Sequence, residues 1–253
     1  LDGQRLPMTK VMREFDQPDI SFAPMPYGLQ LTSLRPINDQ ITHTRVTNAI
    51  FPSTFVIPLS ETMTITQIHV PVDDTKNYWY AIFTSFDAPV DKEVMRNQRL
   101  EAVTLPDYIP KSGQHNNWGF SADEQQSRTY LGMGESDINV HDQWACESMG
   151  AIQDRTREHL GTTDKVIMAN RRTLIKAIET VQAGGTPPGV ADSEIAVHRM
   201  GPDTVDGLAP TGGTEAWWRH AVQAKRDNAP WDAALKPVAE PLAADYSPEE
   251  EAS

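Results

Sequence analysis

HDQWACESMGAIQDRTREHLG, residues 141–161, is the stretch around which the rest of the chain is arranged. Read as a helix over His141–Ile152, its Asp142, Ala145, Cys146, Met149 and Ile152 fall at i, i+3, i+4, i+7 and i+10 and share one face. That face is apolar except for Asp142, so the pattern expects the carboxylate to point inward. A carboxylate in the interior must be hydrogen-bonded, paired or bound to a cation, because an uncompensated buried charge costs several kcal/mol. Two readings satisfy this. Asp142 is the N-cap of the helix, accepting backbone N–H bonds, or it is an oxygen ligand of a metal held between this helix and other elements. Composition alone does not choose between them.

Working outward, residues 1–26 mix charge with four prolines and no sustained period, and read as a connecting arm. Tyr27–Arg35 and Gln40–Ile50 are rich in Thr, Val, Ile and Leu and flank the turn-forming Pro36-Ile37-Asn38-Asp39, a hairpin pattern. Thr62–Pro71 and Tyr78–Phe86 form a second pair around residues 73–77. Both faces of Tyr78–Phe86 are largely apolar, which predicts a strand covered on both sides. A short polar helix is expected within Ala88–Val103, and Leu105–Arg128 reads as a long binding-type loop. After the cap Thr162-Thr163-Asp164, residues Ile167, Arg171, Leu174, Ile178 and Val181 repeat at three or four, predicting an amphipathic helix of about eighteen residues stopped by Ala183-Gly184-Gly185 and Pro187-Pro188. Beyond 190 the chain is rich in Pro, Ala and acids, with a short helix at 216–222 and a disordered acidic tail at Tyr246–Ser253. Hairpins followed by helices make this an α+β protein.

At 253 residues, 39% hydrophobic and 23% charged, the chain can bury a sizeable core. Its 22 basic and 35 acidic residues give a formal charge of −13, which disfavours nucleic acid and anionic membrane as partners. No apolar run of about 18 residues and no charged-then-apolar leader is present, so the expectation is a soluble, cytoplasmic chain with no membrane partner. The single cysteine, Cys146, excludes an internal disulfide framework and any iron–sulfur cluster needing two cysteine ligands. Its place on the inward stripe predicts a buried, inert thiol.

DQWACESMGAIQDRTREHLGTTDKVIMANRRTLIKAI carries Asp142, Glu147–Gly150, Asp154–Arg155, Glu158–Gly161, Asp164 and Arg171–Arg172 in order. This run resembles the C-terminal part of the oxygenase component of Rieske-type aromatic-ring hydroxylases, the phthalate 4,5-dioxygenase-like group. The resemblance implies that Asp142 is the carboxylate ligand of a mononuclear non-haem Fe(II), completed by two histidines; such a triad leaves open positions for O2 beside a substrate. It implies a helix-grip (START/Bet v 1-like) fold, an antiparallel sheet packed against a long C-terminal helix. It further implies a mono- or dioxygenase that hydroxylates or O-demethylates an aromatic, carboxylated compound. The enzyme would use O2, electrons from a reductase or ferredoxin, a [2Fe-2S] cluster on a Rieske domain absent from this chain, and a homotrimeric assembly. Because the chain begins at Leu1 and lacks the cluster ligands and the two-histidine motif, it is expected to be the C-terminal portion of a longer polypeptide. The domain division follows: arm 1–26, catalytic domain 27–190, extended acidic tail 191–253.

Arg45 shares a strand face with Ile41, His43, Thr47 and Ala49. On a cavity wall its guanidinium would bind an aromatic carboxylate bidentately; on an outer face it would simply be solvated. None of the seven histidines pairs at chelate spacing on one helix. His141 and Asp142 point about 100° apart on a helix and do not serve one ion. His43 and His69 on strands read as structural, His159 and His198 as surface or capping residues. Asp154, Arg155 and Glu158 are expected to pair within or between helices and fix the helix bearing Asp142. No nucleophile elbow, P-loop or dinucleotide fingerprint is present. Two rival readings are a non-enzymatic helix-grip pocket protein and an accessory subunit of a complete oxygenase.

One carboxylate cannot hold Fe(II), so the purified 253-residue chain should bind iron weakly and turn nothing over. Metal analysis after gel filtration in Fe(II) checks this: substoichiometric iron is expected, and a tight one-to-one complex would point to His69 or His115 as substitute ligands.

Overall fold

Six of the ten residues of Ile41–Ile50 (ITHTRVTNAI) are Thr, Val or Ile, whose branched Cβ favours extended backbone, and this strand, β3, is the one on which the sheet is built. The computed structural model of the chain describes residues 8–25, 27–129, 131–134, 138–187 and 204–230. The other strands are β1 Asp19–Met25, β2 Gly28–Pro36, β4 Thr54–Pro58, β5 Met63–Pro71, β6 Asn77–Ser85, the two-residue β7 Val103–Thr104 and β8 Ile109–Pro110, and β9 Val205–Pro210. The helices are α1 Met8–Glu14, α2 Lys92–Glu101, α3 Ala122–Ser127, α4 Ile138–Glu147, α5 Lys165–Gln182 and α6 Thr214–Asp227.

The main sheet runs β1-β2-β3-β4-β5-β6, with β9 also on β3. Strand β3 pairs antiparallel with β2 along its length, from Gly28↔Ile50 to Pro36↔Thr42. Its other edge is divided: Ile41–Val46 pair with β9 and Asn48–Ile50 with β4. The chain folds as two compact units, one containing residues 1–69, 79–89 and 161–253 and the other residues 70–78 and 90–160.

In the first unit Val46 and Val205 form a core with Trp218 and Val222 of α6, and Trp217 and Ala221 pack against it. The register places Val46 opposite Val205, so cross-strand neighbours and the helix close over the same spot. Gly207 makes this approach possible, since a Cβ there would lie 2.7 Å from Trp217 Cη2. Lys225 is buried beside this core; its ammonium donates to the carbonyl and hydroxyl of Thr204 and lies 4.8 Å from the Phe86 ring centroid. Helix α5 packs against β2. In the second unit Asp91 caps α2, its carboxylate accepting from Glu93 and Val94 N–H at 3.1 and 3.0 Å.

The α+β reading, with an antiparallel sheet and a long helix of helix-grip type, is the architecture found; α5 has the eighteen residues expected. Several local expectations are corrected. The segment read as a connecting arm contains α1 and β1, which pairs with β2 from Asp19↔Leu34 to Met25↔Gly28. Its prolines hid it, and β1 tolerates Pro24 because it is an edge strand. Strand β4 escaped notice among Pro52 and Pro58, and β9, read as extended tail, is a strand because β3 pairs with it. The aromatic strand β6 is not covered on both sides: Tyr78, Tyr80 and Ile82 are at least half exposed, at the end of the sheet order. In α5 the inward side runs through Val166, Asn170, Thr173 and Ala177, whereas Ile167, Ile178 and Val181 are exposed. The acidic tail at Tyr246–Ser253, and His198, lie outside the described residues.

Gly207→Ala should force Trp217 off its seat and lower stability by about 1–3 kcal/mol. Urea unfolding measures it, and a wild-type midpoint would mean that β9 and α6 are not packed as described.

Candidate functional site

Helix α4 runs from Ile138 to Glu147, not from His141 to Ile152. Gly150 ends the following turn with φ +96°, a conformation glycine adopts without strain, and leaves Met149 and Ile152 outside the helix. The predicted apolar stripe is thereby cut in two, and what remains of it faces out. Asp142, Ala145 and Cys146 are all exposed, as are Met149 and Ile152.

The side that packs is the polar one. Asn139 is buried, and Gln143 and Glu147 follow it at i+4 and i+8. Gln143 Nε2 donates to Ser112 O at 3.0 Å and to the two Glu147 oxygens at 3.0 and 3.2 Å. Glu147 Oε2 also accepts from Trp118 Nε1–H at 2.8 Å. Burying the small Ala145 and Cys146 side chains would gain little, whereas Glu147, although itself exposed and so screened by solvent, ties this side of the helix to the loop through the Trp118 indole. The polar face therefore wins.

The partner loop is built for this contact. Asn116 Oδ1 accepts from Gly113 N–H at 3.0 Å, Asn116 Nδ2 donates to Lys111 O at 2.8 Å, and Trp118 N–H donates to Gly113 O at 2.8 Å. Asn117 (φ 51°, ψ 40°), Trp118 (φ 53°, ψ 24°) and Gly119 (φ 71°) are consecutive left-handed residues, and Trp118 is buried. At the other end of the helix Glu124 Oε1 accepts from the Thr129 hydroxyl at 2.7 Å and from Gly134 N–H at 2.8 Å, while His141 Nε2 bonds Gly134 O at 3.2 Å. These hydrogen bonds hold the Glu124 carboxyl below the usual glutamate range.

Asp142 stands one full turn inside α4, so the N-cap reading is overturned. The inward orientation is overturned too; the carboxylate is displayed on the exposed side, where it can ligate something outside the helix. Cys146, expected buried, is exposed. Partial desolvation, then the charges of Asp142 and Glu147, push its thiol up, so it is a poor thiolate. Asp154 and Glu158 lie beyond α4: Asp154 caps a short turn by accepting from Thr156 N and Oγ1, and Glu158 accepts from Gln153 at 3.2 Å. His159 is exposed, as expected.

In the sheet unit, Arg45 is neither solvated nor open. Its side chain is 14% exposed and its guanidinium donates to Asp206 Oδ2, directly opposite on β9. His43, also buried, donates from Nε2 to Asp206 Oδ1 at 3.2 Å. Ser33 and Arg35 of β2 lie opposite Arg45 and His43, and Arg35 Nη1 donates to Ser33 Oγ at 3.0 Å. Burial alone would raise the Asp206 carboxyl, but the His43 hydrogen bond and the Arg45 charge outweigh it and hold it below the usual aspartate range. Arg35 is lowered by burial and by the Arg45 charge, with Asp206 opposing. Sequence reading found Arg45 and His43 but missed Asp206, which lies 161 residues from Arg45 in a segment that reads as loop. His69 stacks on Trp79 at 5.7 Å and meets the Phe55 ring edge-on at 5.9 Å; desolvation lowers its pKa.

Among the described residues no group of three His, Cys, Asp or Glu is placed to hold a metal ion. Asp142 offers a single carboxylate, and the described residues bring no second and third ligand to it. Nor is any described helix long and apolar enough to cross a membrane.

The LigXa C-terminal domain-like family matches residues 14–235. The 3-chlorobenzoate-3,4-dioxygenase oxygenase subunit of Comamonas testosteroni is 28% identical over 178 residues, covering 63% of this chain and 41% of that protein. The phthalate 4,5-dioxygenase oxygenase subunit of Pseudomonas putida is 26% identical over 176 residues, covering 67% of this chain and 40% of that protein. The chain thus spans about two fifths of the length of these curated relatives.

The depressed Asp206 carboxyl fixes the sign of a pH effect. A group whose folded pKa lies below its unfolded value stabilises the fold above that value, about 3.9, and the contribution disappears as pH falls through the folded pKa. Wild-type stability should therefore fall with acidification below about pH 4, and Asp206→Asn should flatten that limb. Asp206→Ala, which leaves Arg45 without its buried partner, should cost about 3–5 kcal/mol at neutral pH. Denaturation midpoints between acid and neutral pH test both; an Asp206→Ala midpoint equal to wild type would contradict the clasp.

Proposed function

The chain belongs to the LigXa C-terminal domain-like family, and from that premise we propose that it is the catalytic-domain portion of a Rieske non-haem iron oxygenase acting on an aromatic compound. The two relatives are named as oxygenase subunits of ring dioxygenases, which favours this reading over a non-enzymatic pocket protein or an accessory subunit. The observation that carries it is Asp142: a carboxylate inside the matched region, one turn into α4 and so not a cap, and exposed, about 100° round the helix from Gln143.

In this proposal Asp142 supplies the carboxylate oxygen of a mononuclear Fe(II) site whose two histidines lie outside the described residues. When bound, such a centre supplies activation of O2 beside the substrate. The contribution of this chain is to hold that oxygen still. Gln143 and Glu147 fasten α4 to the loop at 111–119 by the hydrogen bonds given above, and a ligand on a rigid helix keeps its geometry better than one on a loop. The [2Fe-2S] cluster, a reductase or ferredoxin donor, trimeric assembly, a cytoplasmic setting and hydroxylation or O-demethylation of the ring belong to the proposal for the whole enzyme.

For Arg45 the proposal is narrower. Its charge is engaged by Asp206, so any substrate carboxylate it met would share that guanidinium with Asp206. Arg35, on the neighbouring strand, adds a second guanidinium to the same sheet region.

Asp142→Ala in the complete oxygenase should abolish iron retention and turnover with the fold intact, because no cap is lost. Retained turnover would contradict the ligand assignment.

A further inference from the structure

The exposed Asp142 raises a question that the ligand reading leaves open: what fixes the direction of a side chain on a ten-residue helix that exposes Trp144, Ala145 and Cys146? Helices of this length hold only through tertiary contacts. Three observations meet on the side of α4 away from Asp142. Trp118 is buried, yet its backbone and that of Asn117 are left-handed, a conformation costing roughly 1 kcal/mol or more for each residue with a Cβ. The only polar atom of the Trp118 side chain, Nε1, is spent on Glu147 Oε2 at 2.8 Å. Glu147 in turn shares its two oxygens with Gln143, one turn earlier, whose amide also reaches Ser112 O on the same loop. Loop strain, indole and carboxylate thus converge on the last two turns of the helix that bears Asp142.

On the reading that Asp142 is an iron ligand, we infer that Trp118 and Glu147 are positioning residues: the indole–carboxylate bond sets the rotation of α4 about its axis and with it the direction of the Asp142 carboxylate. Neither residue need touch metal or substrate. A rotation of α4 by one residue's step, about 100°, would carry Asp142 off its side altogether, and the Glu147 bonds resist that rotation.

The test uses the complete oxygenase carrying Trp118→Phe, Glu147→Ala, Glu147→Gln and, separately, Asp142→Ala. Trp118→Phe removes the N–H together with the pyrrole half of a buried indole, and Glu147→Ala removes the same bond with the indole left in place. Losing a hydrogen bond to a charged acceptor should speed amide exchange across 138–147 by about tenfold in the metal-free protein, with the sheet amides unchanged. In the iron-loaded protein it should shift the near-infrared ligand-field bands of Fe(II) and weaken iron retention several-fold. Glu147→Ala should behave alike, and Glu147→Gln, whose carbonyl oxygen still accepts from the indole, should restore both readouts. Wild-type exchange in Trp118→Phe, or faster exchange with an unchanged Fe(II) spectrum, would overturn the positioning role. Asp142→Ala separates the two claims: it should lose iron without loosening α4, and if it keeps iron the ligand reading itself fails.

Discussion

A β-strand has two edges, and β3 spends one of them on two partners. Its first half pairs with β9 and its second half with β4, so a segment beginning at Val205 must return to a strand that starts at Ile41. The Asp206 carboxylate is the clasp on that return. It meets Arg45 and His43 from directly across the ladder, all three buried or nearly so, and its depressed pKa follows from the same contacts. Because α6 follows β9 and closes the Val46–Val205–Trp218–Val222 core, the pairing and the hydrophobic core stand or fall together. Gly207, where Trp217 presses on the strand, shows how little room that closure leaves.

The helical unit obeys a different rule. Its central helix is held by its polar side, through Gln143, Glu147 and the indole of Trp118, and shows its small apolar residues to solvent. Hydrophobic burial orders most helices, but α4 has too few large apolar side chains to be ordered that way. Exposure of Asp142 taken alone would leave only a generic fold; the family match over residues 14–235 is what supports proposing it as a metal ligand. The chain spans about two fifths of its relatives' length, and it exposes apolar residues on β6 and α5.

What the sequence made legible was local. The β2–β3 and β5–β6 hairpins, the polar α2 and the eighteen residues of α5 announce themselves through β-branched runs, turn residues and a Gly-Gly stop, signals that act within a few residues. What stayed hidden depends on contacts far along the chain. Strand β9 reads as loop because DGLAP has little strand character until β3 pairs with it, and Asp206 was invisible for the same reason. The periodicity of α5 and α4 correctly gave helices but misassigned their inward sides. In α5 the buried side is made of small and polar residues, Asn170, Thr173 and Ala177, and in α4 of hydrogen-bonding ones, neither of which a search for apolar stripes will find. Asp142 was picked out partly on an inward orientation that the helix does not show, and its proposed ligand role rests on the motif around it, Glu147–Gly150 included.

The central claim is that the Asp142 carboxylate is turned toward an iron ion by a helix fastened on its other side. Anomalous diffraction at the iron edge from the iron-loaded, complete oxygenase tests it most directly. A single strong peak beyond the sheet-bound carboxylates, within bonding distance of an Asp142 oxygen and with Trp118 Nε1 still on Glu147, is the predicted result. Iron found elsewhere, with the Asp142 side chain reaching only water, would contradict it.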